Sequence, residues 1–155
     1  MKRIDLLFFG AALVVVLSGC ATDGTQKTGL ELQAFQKKEF ATSKATGFAS
    51  TVSVFQDLGY TIRAADLQTG LIQAQSPTKN TIFFGSHMSN VDVTAFVEEI
   101  VTNRTAIRLN FVQVSESSSG YGMKSKRDKP LDNPVVYDNA FGKIQEAIFI
   151  RTNTK

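Results

Sequence analysis

The chain has 155 residues, 43% apolar and 20% charged, a balance that suits one folded domain rather than a disordered chain. A formal net charge of +3 is too small to mark a nucleic-acid binder. A single cysteine excludes an internal disulfide and a cysteine-built metal cage.

Residues 1–19 have the layout of a secretory signal. Lys2 and Arg3 supply the positive start, Ile4 to Leu17 is an apolar run broken by Asp5 and Gly10, and Ser18 and Gly19 are small. The run is short for a membrane-spanning helix, which needs about 20 residues. Leu17-Ser18-Gly19-Cys20 resembles the bacterial lipobox. That resemblance implies cleavage before Cys20, diacylation of its thiol and usually acylation of the new amino group. One acyl chain holds a protein only marginally, at roughly 0.8 kcal/mol per buried methylene, and two or more anchor it stably. A chain starting at Cys20 keeps 15 basic and 13 acidic side chains, a net charge of +2. Ala21 and Thr22 follow the cysteine, and the absence of an aspartate at the second mature position favours the outer membrane under the enterobacterial sorting pattern.

Residues 20–36 are read as a lipidated N-terminus and a small, polar tether. Leu30, Leu32 and Phe35 stand at loose helical spacing, so its last part forms a short helix or packs on the domain. Residues 37–155 form the periplasmic domain. A short strand is expected over Lys38 to Ala41, then a helix capped by Thr42 or Ser43. Phe48, Val52, Phe55 and Leu58 make its apolar stripe, and Gly59 its left-handed stop. Tyr60, Ile62 and Ala64 alternate with polar residues as a half-buried strand. "ADLQTG" turns, Leu71 to Ser76 returns, and Pro77 ends it. Residues 78–90 give no clear period. Val91 to Val101 alternates with Val91, Val93, Ala95 and Val97 on one face, "TNRT" turns, and Ala106 to Ser115 pairs back through Ile107, Leu109 and Phe111. "SESSSGYGMKSKRDKPLDNP" reads as a long polar loop. Asp132 or Asn133 caps a last helix with Pro134 in its first turn and an apolar stripe of Tyr137, Phe141, Ile144 and Ile148.

The order β-α-β-β-β-β-α predicts an α+β fold: a single antiparallel sheet with two helices on one face, the other face wet. This order resembles the helix-grip domains of lipoprotein C of the β-barrel assembly machinery, and TATA-binding-like folds. Locally, "VFQDLGYTIRAADLQTGLIQAQ" and "VVYDNAFGKIQEAIFI" resemble a family of small proteobacterial outer-membrane lipoproteins of uncharacterised function. The match spans roughly residues 37–150. It rests on Asp57, Leu58, Gly59, Tyr60, Asp66, Gly70, Leu71, Ile72, Ala74, Tyr137 and Phe141, and departs at 78–90. These are fold motifs and imply no catalytic chemistry.

Candidate chemistry is sparse. His87 is the one histidine and is read as a solvated loop residue without partner ligands. Glu98 and Glu99 are neighbours on a strand, so they point to opposite faces and do not form a carboxylate pair. No catalytic elbow or zinc-helix motif is present in the sequence. The strongest charged feature is Lys124, Lys126, Arg127 and Lys129, a possible contact surface for anionic headgroups or an acidic partner. The sequence therefore points to a non-enzymatic envelope lipoprotein, with Cys20 as lipidation site and no cofactor beyond that covalent lipid. Its partners are the membrane, through the anchor, and an envelope protein. The alternative is a module for a small hydrophobic ligand or lipid, with Phe48, Phe55, Phe111, Tyr137 and Phe141 lining a cavity.

Overall fold

The computed structural model describes residues 29–82, 86–119 and 123–154. The expected signal segment over residues 1–19, Cys20, the expected tether as far as residue 28, Phe83-Phe84-Gly85 and the glycines of "SGYG" after Ser119 lie outside the described residues. The fold is α+β, with one antiparallel sheet, as the pattern predicts. In chain order it runs α1 (Gly29–Gln36), β1 (Lys37–Phe40), α2 (Lys44–Asp57), β2 (Thr61–Asp66), β3 (Leu71–Gln75), β4 (Lys79–Ile82), β5 (Ser86–Val101), β6 (Arg104–Ser118), β7 (Lys124–Pro130) and α3 (Pro134–Asn153). The sheet order is β1-β6-β5-β3-β2. β4 pairs with β5 on the side of β3, and β7 pairs with β6 on the side of β1.

Alternation decides which face is dry. Ile107, Leu109 and Phe111 of β6 are buried while Arg108 and Asn110 are exposed, and Val93, Ala95 and Val97 of β5 are buried while Thr94 and Phe96 are exposed. α2 and α3 lie on the buried side. Tyr137, Ala140, Phe141, Ile144 and Ile148 form the inner stripe of α3, as expected, and Phe141 meets Phe40 of β1 at 6.1 Å between ring centroids. Each such large side chain contributes about 1.5–3 kcal/mol by leaving water. Asn133 caps this helix by accepting from the Val135 amide, and Pro134 begins it.

The buried face of α2 corrects the expected stripe. Gly47, Ser50, Thr51, Val54 and Phe55 are buried, Phe48 and Val52 only flank the core, and Leu58 is 39% exposed. Small residues bring this helix close to the sheet. A Cβ on Gly47 would touch the methyls of Thr42 and Thr105 at 3.5 Å. The Thr105 hydroxyl donates to the Thr42 carbonyl at 2.8 Å, and the Thr51 hydroxyl donates back to Gly47. The Ser50 hydroxyl is fully buried with no partner among the described residues. Ser43 is the cap, and Gly59 takes φ +81° at the stop, as expected.

Three further expectations change. Ala64 is exposed, because a bulge between Ile62 and Ala64 shifts the register of β2. Residues 78–90 contain β4 and the start of β5. Ser76 makes this possible: its amide donates to the Val91 carbonyl and its hydroxyl accepts from the Val91 amide, both at 2.8 Å. One residue thus supplies both ladder bonds just before Pro77, which has no N–H to give, and pairing with β5 resumes at Lys79. The expected loop after Ser115 instead continues β6 to Ser118 and contains β7.

Candidate functional site

The first turns of β5 and the last of β6, with β4 and β7, form a four-stranded arm in the order β4-β5-β6-β7. Along the arm the apolar side thins out: Val114 is still buried, but beyond it β6 continues as Ser115, Glu116, Ser117 and Ser118. All seven residues of β7 are exposed. The ladder Val112↔Pro130 to Ser118↔Lys124 builds it from backbone hydrogen bonds alone.

The register separates the basic cluster. Lys124 and Lys126 share a face with Asp128, above Ser118, Glu116 and Val114. Arg127 and Lys129 take the opposite face with Ser125. The cluster is therefore a cationic edge strand and not a loop, with two charges on each side of the sheet. Glu116 lies directly across from Lys126, yet no ion pair holds any of the four cations among the described residues. The ion pairs lie elsewhere, from Lys37 to Glu98 at 3.3 Å and from Arg104 to Glu39 at 2.7 Å.

Each face of the arm has a hollow. Ser86, Met88, Glu116, Ser118, Lys124 and Lys126, which share the face away from the helices, line one of about 490 Å³ together with Ser117 and Ser125. On the helix side, His87, Ser115, Ser117, Ser125 and Arg127 line one of about 240 Å³. His87 stands on β5, across from Thr81 and Ser117, so the expected loop histidine is an exposed strand residue. Glu98 and Glu99 are split as expected, one to Lys37 and the other accepting from the Asn103 amide. No group of three His, Cys, Asp or Glu able to hold a metal occurs among the described residues.

Of the aromatic residues named for a ligand cavity, Phe55, Phe111, Tyr137 and Phe141 belong to the core and Phe48 packs at its margin. Phe55, Tyr137 and Phe141 are at most 2% exposed. Phe111 reaches a depression of about 260 Å³, shared with Leu58, Tyr60, Val136, Asn139 and Lys143. Burial pushes the Tyr60 phenol above its ordinary pKa there, since a desolvated phenolate is disfavoured.

One residue was read only for its ring. The Tyr137 hydroxyl donates to the Leu131 carbonyl at 2.9 Å and accepts from the Gln36 amide at 3.3 Å and the Phe111 amide at 3.4 Å. Phe35 of α1 packs against the same ring at 4.9 Å between centroids, the two planes tilted by 59°. The end of α1 and the residue just after β7 are thus tied to one oxygen. The sequence signal available was the tyrosine itself, since a buried phenol needs a partner.

Scanned against known protein families, the sequence matches none, and a search of curated proteins likewise finds no match.

Proposed function

We propose that this protein is a lipid-anchored lipoprotein of the bacterial envelope, held through acyl chains on Cys20 at the outer membrane and facing the periplasm. It acts there without catalysis, as an accessory that binds another envelope protein. The lipobox-like Leu17-Ser18-Gly19-Cys20 supports the anchor. The observation that carries the binding role is the arm: a four-stranded extension whose β7 edge is exposed along its whole length and which is flanked by two hollows. Loops and edges left open on a rigid scaffold are where binding concentrates. No helix among the described residues is long and apolar enough to cross a membrane.

A photo-crosslinking residue in place of Met88, 43% exposed on the arm, tests the reading in living cells. The expected product is one recurrent adduct with an envelope protein, absent when the same residue replaces Gln68 in the β2–β3 turn. Identical adduct patterns from both positions would reject the arm as docking surface. The second reading, an apolar-ligand module, rests on the depression beside Tyr60, which is smaller than the roughly 300 Å³ at which ligand pockets begin. Lipid co-purifying with the protein in mass spectrometry would favour it.

A further inference from the structure

The two strands on the outer side of β6 are unlike those at the far edge of the sheet. β1 and β7 together carry six cations, Lys37, Lys38, Lys124, Lys126, Arg127 and Lys129, against Glu39 and Asp128. β2 and β4, on the opposite side, carry two cations, Arg63 and Lys79, against Asp66. Counting Glu31 of α1 and Asp132 beyond β7 against the first edge still leaves two cations in excess.

The chain also begins its described path on that side. α1 packs on α3 and the β6 edge, and the bonds from Gln36 and to Leu131 through the Tyr137 hydroxyl join α1 to the end of β7. Eight residues, Ala21 to Thr28, separate Cys20 from α1. A chain of that length reaches at most roughly 30 Å, so an acyl anchor on Cys20 keeps this edge close to the bilayer.

We propose that the β1–β7 edge is the membrane-facing edge of the protein, and that Lys124, Lys126, Arg127 and Lys129 bind anionic lipid headgroups. This rests on the anchored reading of Cys20 and adds an orientation to it. The sheet stands edge-on, which leaves both faces of the arm to a partner protein. The split of the cations over two faces suits this posture. Long side chains bend from either face toward headgroups beneath the edge while their stems stay along the strand. The acyl anchor raises the local concentration of headgroups, so contacts too weak to hold a free protein suffice. Each cation near an anionic surface strengthens binding about fivefold. The interaction falls with salt, because the charges are exposed and the Debye length is about 8 Å at physiological ionic strength.

The test uses the full lipidated protein reconstituted in vesicles of phosphatidylcholine, with or without anionic phosphatidylglycerol. A fluorophore is placed on Ser125→Cys in β7 or on Ala64→Cys in β2, both exposed, and quenched by a headgroup-attached nitroxide. The expected result is strong quenching at position 125 in anionic vesicles only, lost in high salt and on replacing all four cations by glutamine, with little at position 64. Equal quenching at both positions, or quenching at 125 indifferent to lipid charge and salt, overturns the proposal. Labelling Cys20 with a fatty-acid analogue reads the anchor separately. Labelled protein without charge-dependent quenching overturns the orientation and keeps the anchor, whereas unlabelled protein overturns both.

Discussion

The Tyr137 hydroxyl lies 3.4 Å from the Phe111 amide nitrogen, at the place on the β6 edge that neither β1 nor β7 covers. β1 pairs with residues 105–108 and β7 with 112–118, and Leu131 donates to the Phe111 carbonyl at 2.9 Å. A side chain from α3 thus completes a strand edge. Tyr137→Phe keeps the ring and removes the oxygen, leaving the Phe111 N–H and the Leu131 carbonyl without their partner. The expected cost is about 1–3 kcal/mol. Urea melts read the loss, and limited proteolysis within α1 should accelerate, since Gln36 loses its bond as well. Unchanged stability would show that water replaces the phenol at no cost.

Gly70 allows no side chain. It sits at φ +79°, and a Cβ there would stand 2.0 Å from the Val97 carbonyl oxygen. Its own carbonyl accepts from the Val97 amide, so the turn cannot move away without breaking the sheet. Gly70→Ala combines a left-handed alanine with a backbone clash, for an expected loss of about 2–5 kcal/mol. A thermal melt decides it. Gly142, where a Cβ meets nothing within 4 Å, serves as the control, and Gly142→Ala should stabilise α3 by up to about 1 kcal/mol.

The buried face of α2 ranks three substitutions. Phe55→Ala empties a fully buried site and should cost about 3–5 kcal/mol, and Phe48→Ala, at the margin of the core, clearly less. Ser50→Ala removes a hydroxyl that is buried and unsatisfied, so stability should stay level or rise by up to about 1 kcal/mol. Chemical denaturation of the three variants checks the order. Equal losses at Phe48 and Phe55 would return the helix to the four-residue stripe read from hydrophobicity.

Asp66 is expected to make the stability depend on pH. The Gln68 amide, at 2.9 Å, and the Thr69 hydroxyl bond its carboxylate and hold its pKa below the usual value. A group lowered in the folded state contributes stability above its unfolded pKa, about 3.9, and loses it as the pH falls through the folded one. Asp66→Asn keeps an acceptor for the Gln68 amide and removes the charge. Wild type should therefore exceed the variant at pH 6, and the margin should shrink as the pH falls below about 4. A difference constant across that range would assign the effect to shape and not to ionisation.

What the sequence shows depends on which force builds each element. α3 was legible because its stripe is wholly apolar and its start has Asn133 and Pro134. The hairpin of β5 and β6 was legible where one face is dry, from Val91 to Phe111. α2 misled because close approach selects Gly47, Ser50 and Thr51, which no hydrophobic period marks. β7 was invisible for a related reason: both its faces meet solvent, and Lys124 to Pro130 are held by main-chain bonds that any side chain permits. The charges of the candidate site could be read off the sequence. Their division over two faces could not, since it depends on pairing with β6.

The register of β1 has a consequence for the order of assembly. Residues 37–40 find their partners only at 105–108. A chain delivered N-terminus first exposes this strand, and the helix before it, long before the other half of the ladder arrives. The β5–β6 hairpin closes locally and needs no such wait. The opening strand therefore pairs across the longest stretch of chain in the sheet, at the largest loop-closure entropy. If acylation at Cys20 pins the N-terminus during export, the domain folds back toward its own attachment point, and a chaperone that shields the unpaired β6 edge would set the rate.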